Sequence, residues 1–148
     1  MSLITFILIV SLFILIVVSG FLSGSETALT ATSKPRILLK FKRGNKKAKF
    51  VLKIFDNLEN VISSLLLSNN LVNILASSVA TVVLYDIFGV SGIFYATISM
   101  TVLIVIFAEI LPKTYSLNKP TRTSLQIAHV IFYLSKYYIY FLKQFPLN

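Results

Sequence analysis

The sequence predicts an all-α membrane protein with three transmembrane helices, a cytoplasmic-side amphipathic helical hairpin and a juxtamembrane aromatic helix. Three observations carry that prediction. Apolar residues make up 56% of the 148, against about 45–50% in an ordinary soluble domain. They gather into three runs, each near the roughly twenty residues a helix needs to cross a bilayer. Basic residues keep to the gaps: nine of the fourteen Lys and Arg lie in Lys34–Lys53, and none lies between Phe55 and Pro112.

The first span is expected over about residues 3–30. Leu3–Val18 is almost wholly apolar and continues through "SGFLSGSETALTA". It has no basic n-region and no small-residue cleavage site before the polar stretch, so it reads as a retained span rather than a cleaved signal peptide. Residues 34–56, "KPRILLKFKRGNKKAKFVLKIFD", are basic and intermittently apolar. Pro35 suits a helix start and Gly44-Asn45 a turn, which gives a short helical hairpin lying on the inner membrane face.

The second span is expected over about residues 60–85 and the third over about 93–111, ending at Pro112-Lys113. The last stretch, residues 121–142, is less oily and carries Phe132, Tyr133, Tyr137, Tyr138, Tyr140 and Phe141 among Lys136 and Lys143. Aromatic rings mixed with lysines suit the headgroup layer. It reads as a juxtamembrane helix, with a fourth span as the alternative. His129 within it reads as an interfacial side chain.

Charge sets the topology. With three spans and both basic gaps cytoplasmic, the N-terminus lies outside and the C-terminus inside, most simply in a bacterial inner membrane. A net charge of +9 distributed this way marks membrane orientation and contact with anionic lipid rather than nucleic-acid binding. The composition also narrows the chemistry. Without cysteine, and with one histidine, neither a disulfide framework nor a thiolate or His-rich metal site can form. No Gly-rich phosphate loop and no Ser/His/Asp set is present, so no enzymatic reaction can be written.

What remains is oxygen. Placing Asn69 at 0° and stepping about 100° per residue, Asn73 falls near 40°, Ser77 near 80°, Asn70 near 100°, and Ser63 and Thr81 near 120°. Lipid cannot hydrogen-bond an amide, so this stripe must face protein or trapped water. In the first span Ser19, Ser23, Glu26, Thr27 and Thr30 share one side, and Ser25 projects from another. Gly20 and Gly24 form a GxxxG step that permits close approach of a neighbouring helix. The third span contributes "AEILPK", with Glu109 as its carboxylate. Pro112 has no N–H to give, so the Ala108 carbonyl loses its helical donor. Such groups also serve as interhelical glue, at about 0.6 kcal/mol per contact. Together they make a hard, oxygen-only ligand set suited to Mg²⁺, Ca²⁺ or Na⁺.

"FLSGSETALTA", "SNNLVNILA" and "AEILPK", in this order and with the basic segment between the first two, resemble the signature stretches of the CNNM/CorC transmembrane domain. That family comprises Mg²⁺ transporters also called hemolysin-like proteins, and the likeness covers about Leu3 to Leu142 of a single domain, residues 1–148. The resemblance implies a homodimer transporting Mg²⁺, commonly described as efflux with Na⁺ coupling proposed, through an inward-facing cavity. It implies ion ligands at Ser23, Asn73, the Ala76 carbonyl, the Ala108 carbonyl and Glu109, with Ser19, Ser25 and Asn70 as neighbouring candidates.

The chain departs from the family pattern in two places. Ala108 stands where the family has glycine, which adds a methyl to the cavity wall. Family members usually continue into paired CBS domains that bind adenine nucleotides, whereas this sequence stops at "QFPLN". Nucleotide regulation is therefore not carried over from the resemblance, and a soluble CBS-type domain stands only as a partner that the resemblance suggests. A non-transporting scaffold or regulatory module that keeps the fold is the alternative reading, as is transport of another hard cation.

Overall fold

The computed structural model describes residues 2–143. The terminal QFPLN, where the sequence reading placed a cytoplasmic end, lies outside them. Among the described residues every regular element is helical: α1 (Leu3–Ala31), α2 (Lys34–Lys42), α3 (Lys46–Phe55), α4 (Leu58–Phe88), α5 (Ser91–Leu103), a π-helical segment (Ile104–Ile110), α6 (Leu111–Asn118) and α7 (Pro120–Lys143). Three stretches are long and apolar enough to cross a membrane: Leu3–Ala31, Leu58–Phe88 and Ser91–Asn118. Helix α7 is not among them, in keeping with the juxtamembrane reading.

Only 17% of the most apolar window of each spanning helix is buried within the chain. Phe13, Val17, Leu71, Ile74, Phe94 and Phe107 are all more than half exposed. An apolar surface of this extent is stable only against hydrocarbon or another apolar partner, so the chain is an integral membrane protein.

The chain divides into two compact units. One joins the residues up to Gly24 with Ser68–Thr114. Its core is Ala76, Ala80 and Met100, packed by Leu12, Leu15 and Ile16 of α1 and by Leu103 and Ile104. Small alanines on α4 let the backbones approach, the packing mode of membrane helices. At one end, the Thr5 hydroxyl donates to Asp86 at 3.3 Å and shares a 2.7 Å bond with Ser2. The turn from α4 to α5 depends on Gly89, whose φ of +65° is the left-handed region that glycine enters without a Cβ penalty. Gly92 then lies so close to the Leu84 carbonyl that a Cβ would overlap it.

The sequence reading ended the third span at Pro112. The helix instead continues through it to Asn118. The reason lies in the preceding turn, where the hydrogen bonds step back five residues and the Leu111 N–H donates to the Ile106 carbonyl. The next bond of that register would need the N–H that Pro112 lacks, so the wide turn stops there. A widened turn absorbs the proline that would break a regular α-helix.

The second unit joins Ser25–Leu67 with the residues from Tyr115 onward. Ala28, Leu29, Ile37, Ala48, Val51, Ile54, Ala128 and Ile131 are all but sealed from solvent. The predicted hairpin is present as α2 and α3, with Gly44 at φ +87° in the turn and the Asn45 side chain accepting from the Lys47 N–H at 3.0 Å to cap α3. Its apolar side packs on α7: Phe50 meets His129 and Phe132 edge to face, at 5.0 and 5.5 Å between ring centres. Lys53 lies 5.4 Å from the Phe132 ring centre. His129 is thus an exposed side chain at the edge of an aromatic cluster with Phe50 and Tyr133. The Thr32 and Ser124 hydroxyl oxygens lie 2.7 Å apart and stand 2.7 and 2.9 Å from the Ala28 carbonyl oxygen, so their two hydrogens serve three contacts.

Candidate cation site

The polar face of α1 meets the polar face of α4 at Ser19. This serine is fully buried, and its Oγ donates to the Oδ1 of Asn69 at 2.7 Å and of Asn73 at 2.6 Å. Asn69 and Asn73 stand one helical turn apart, so both amides reach the same hydroxyl. One hydroxyl carries one hydrogen. With both amides turned oxygen-inward, three oxygens share that hydrogen, an acceptor-rich cluster of the kind a hard cation favours. Rotating one amide would let its NH₂ donate back to Ser19 and close the network without an ion.

The residue after Ser19 brings in the third helix. Gly20 is buried and faces the wide turn: a Cβ there would stand 3.3 Å from the Phe107 carbonyl oxygen, 3.8 Å from the Ala108 Cα and 3.2 Å from Pro112 Cγ. The small side chain at Gly20 therefore lets the backbones meet. Pro112 supplies no N–H to Ala108, four residues back, nor to Phe107, five back. This turn is therefore short of a main-chain donor at the place where Glu109 sits. Glu109 is half-buried and has no ion pair among the described residues.

Each expected ligand has a definite place. Ser23 is fully buried one turn beyond Ser19 on the same face of α1. Ser25 is also buried but, six residues from Ser19, projects from another side. Ala108 is completely buried. Ala76 is 1% exposed within the apolar cluster, so only its backbone could offer an oxygen. Asn70 is exposed and turns into a groove of about 570 Å³ with Asn73, Ser77, Ser78 and Thr81. Among the described residues Asn73 is the carboxamide that touches both Ser19 and this groove.

Asn69 was left out of the expected ligand set, although it opened the polar stripe. Its i,i+4 relation to Asn73 was the available signal. Ser19, ranked behind Ser23 in the sequence, is the hydroxyl that makes the contact. Ser78 also lines the groove, though its own hydroxyl donates to the Ile74 carbonyl at 2.9 Å.

Comparison with known proteins agrees with this reading of the motifs. The profile of the "Cyclin M transmembrane N-terminal domain" (CNNM) matches residues 9–145. A UPF0053 protein of Haemophilus influenzae is 36% identical over 129 residues, covering 87% of this chain and 31% of that protein. The UPF0053 inner membrane protein YfjD of Escherichia coli K12 is 39% identical over 107 residues, covering 72% of this chain and 25% of its own length. A UPF0053 protein of Mycoplasma genitalium is 31% identical over 134 residues, covering 86% and 31%. The chain thus spans about a third or less of the length of these relatives. With a profile match across most of its residues, this chain belongs to the CNNM transmembrane domain family.

Proposed function

We propose that this chain moves Mg²⁺ across the membrane as its transported substrate, by efflux coupled to Na⁺. The observation that carries the reading is the oxygen cluster of Ser19, Asn69 and Asn73 within an apolar span. It is joined to a polar groove on α4, and Glu109 on the third helix has no ion pair among the described residues. Mg²⁺ surrenders water reluctantly and takes hard oxygen ligands. A helix bundle that offers hydroxyl, carboxamide, carbonyl and carboxylate oxygens can replace part of its hydration shell. Ser23, Asn73, the carbonyls of Ala76 and Ala108, and Glu109 are the proposed ligands, with Ser19, Ser25 and Asn70 nearby. Glu109 supplies the charge that offsets the ion.

The working unit we propose is a homodimer in an inner membrane, N-terminus outside and C-terminus cytoplasmic, with a CBS-type domain as a possible regulatory partner. The basic residues of α2 and α3 support that orientation. Membership of the CNNM family and the oxygen-bearing side chains of the site support a carrier rather than an enzyme.

The test is Mg²⁺ flux from proteoliposomes containing the purified chain, with and without a Na⁺ gradient. Asn73→Ala and Glu109→Ala are expected to abolish flux while insertion and expression stay normal. Flux at the level of the unmodified chain in both variants refutes the site. A second reading, a scaffold without transport, is favoured by the closed network in which one amide donates to Ser19. It predicts no flux and no stabilisation by Mg²⁺, Ca²⁺ or Na⁺.

A further inference from the structure

We propose that α2, the start of α3 and the first two turns of α7 form a binding groove for the phosphate headgroup of an anionic phospholipid. The groove encloses about 620 Å³ and is lined by Arg36, Lys40, Lys47 and Arg122, with Thr121 and Gln126 on the α7 side. Four cations line one small depression, and no carboxylate lines it. Among the described residues the ion pair is Lys34 with Asp56, at 3.8 Å, and neither lines the groove. Like charges held together at this density repel one another, and an anion removes that repulsion.

The neutral residues add specificity. The Thr121 hydroxyl oxygen is buried and has no hydrogen-bond partner among the described residues. A buried donor left unpaired is costly; the oxygen is sealed from the groove as it stands, and rotation of the Thr121 side chain would bring its hydroxyl to a phosphate oxygen there. The two arginines present planar forks suited to phosphate oxygens. Gln126 supplies an amide donor for a glycerol or ester oxygen.

Covalent position selects a lipid over a soluble phosphate. Arg36 lies five residues beyond the end of α1 at Ala31, and Thr121 three beyond the end of the third spanning stretch at Asn118. Both walls therefore follow within a few residues on a stretch long and apolar enough to cross a membrane, where lipid headgroups are expected. Basic pockets at that level suit anionic headgroups.

The purified full chain in detergent is titrated with phosphatidylglycerol, with phosphatidylcholine as the zwitterionic control, and separately with inorganic phosphate and with ATP. Bound ligand is read by native mass spectrometry and stability by Tm. Phosphatidylglycerol is expected to bind at least tenfold tighter than phosphatidylcholine. Arg36→Gln with Arg122→Gln is expected to remove that preference. Lys46→Gln with Lys49→Gln, which deletes the same charge outside the groove, is expected to change it less than twofold. Thr121→Val is expected to weaken phosphatidylglycerol severalfold without lowering the lipid-free Tm. Should the arginine pair unfold the protein, Lys40→Gln with Lys47→Gln is read in its place. Equal losses in the groove and control pairs overturn the proposal, as does equal binding of the two lipids. ATP or inorganic phosphate bound through the arginines, with phosphatidylglycerol unaffected by their loss, assigns the groove to a soluble ligand and overturns it too.

Discussion

The Ser19 hydroxyl sits 2.6 Å from Asn73 and 2.7 Å from Asn69, bridging two successive turns of α4. A single proton therefore serves two carboxamides inside an apolar span. Either an amide turns to donate, or the cluster keeps surplus acceptor capacity. Stability measurements with and without an ion separate these states.

Ser19→Ala removes both contacts and is expected to destabilise the packing of α1 on α4 by about 1 kcal/mol, at about 0.6 kcal/mol per contact. Ser19→Ala and Asn73→Ala share a bond, so their combined effect should be less than the sum. A double-mutant cycle on unfolding in detergent reads this coupling. Purely additive losses would mean that the two side chains do not act through their shared contact.

Glu109→Gln keeps the shape and removes the charge. Without ion, stability is expected to hold or rise slightly, because a half-buried charge lacking an ion pair is lost. With Mg²⁺ at a hundredfold excess over Kd, binding would stabilise the unmodified chain by about 2.7 kcal/mol. A tenfold weaker site lowers that by about 1.4 kcal/mol. A Mg²⁺-induced rise in Tm that is identical in both proteins removes Glu109 from the site.

Gly20→Ala places a methyl 3.2 Å from Pro112 and 3.3 Å from the Phe107 carbonyl. Both neighbours are stiff, a proline ring and a backbone oxygen. A loss of about 1–3 kcal/mol, the range for overpacking, is expected, and Gly20→Val should lose more. Measured by thermal unfolding, the order Gly, Ala, Val tests whether α1 meets the wide turn backbone to backbone.

The two glycines after α4 should respond differently. Gly89→Ala meets open space, so its cost is that of the left-handed backbone alone, about 1–2 kcal/mol, and Gly89→Asn should recover part of it. Gly92→Ala collides with the Leu84 carbonyl and is expected to prevent the α4–α5 turn from closing. Expression and monodispersity of Gly92→Ala at the level of Gly89→Ala would contradict that close approach.

Much of this architecture was legible in the residues because hydrocarbon is a demanding solvent. The three spans, the basic hairpin and the aromatic final helix follow from run length, charge placement and the need to satisfy every backbone group. The observed spans run a few residues past the expected ends at Leu58, Phe88 and Ser91, since hydropathy fades gradually where a helix does not. The inward turn was legible for Asn69 and Asn73, which meet Ser19, whereas Asn70 and Ser63 of the same stripe are exposed on the described chain.

The identity of the hydroxyl that meets the asparagines was not. Ser19 and Ser23 lie on one face of α1, and only the axial offset between α1 and α4 determines which of them meets Asn73. That offset comes from packing of Ala76 and Ala80 against Leu12, Leu15 and Ile16, a property of side-chain shapes from distant parts of the chain. The continuation of the third helix through Pro112 was likewise a tertiary outcome. Proline removes one donor in any context, but Gly20 on another helix leaves room for the wide turn that absorbs the loss. Sequence alone determined that this chain spans a membrane and carries oxygen-rich faces inside it. Which oxygens touch was decided by how closely small residues let the helices approach.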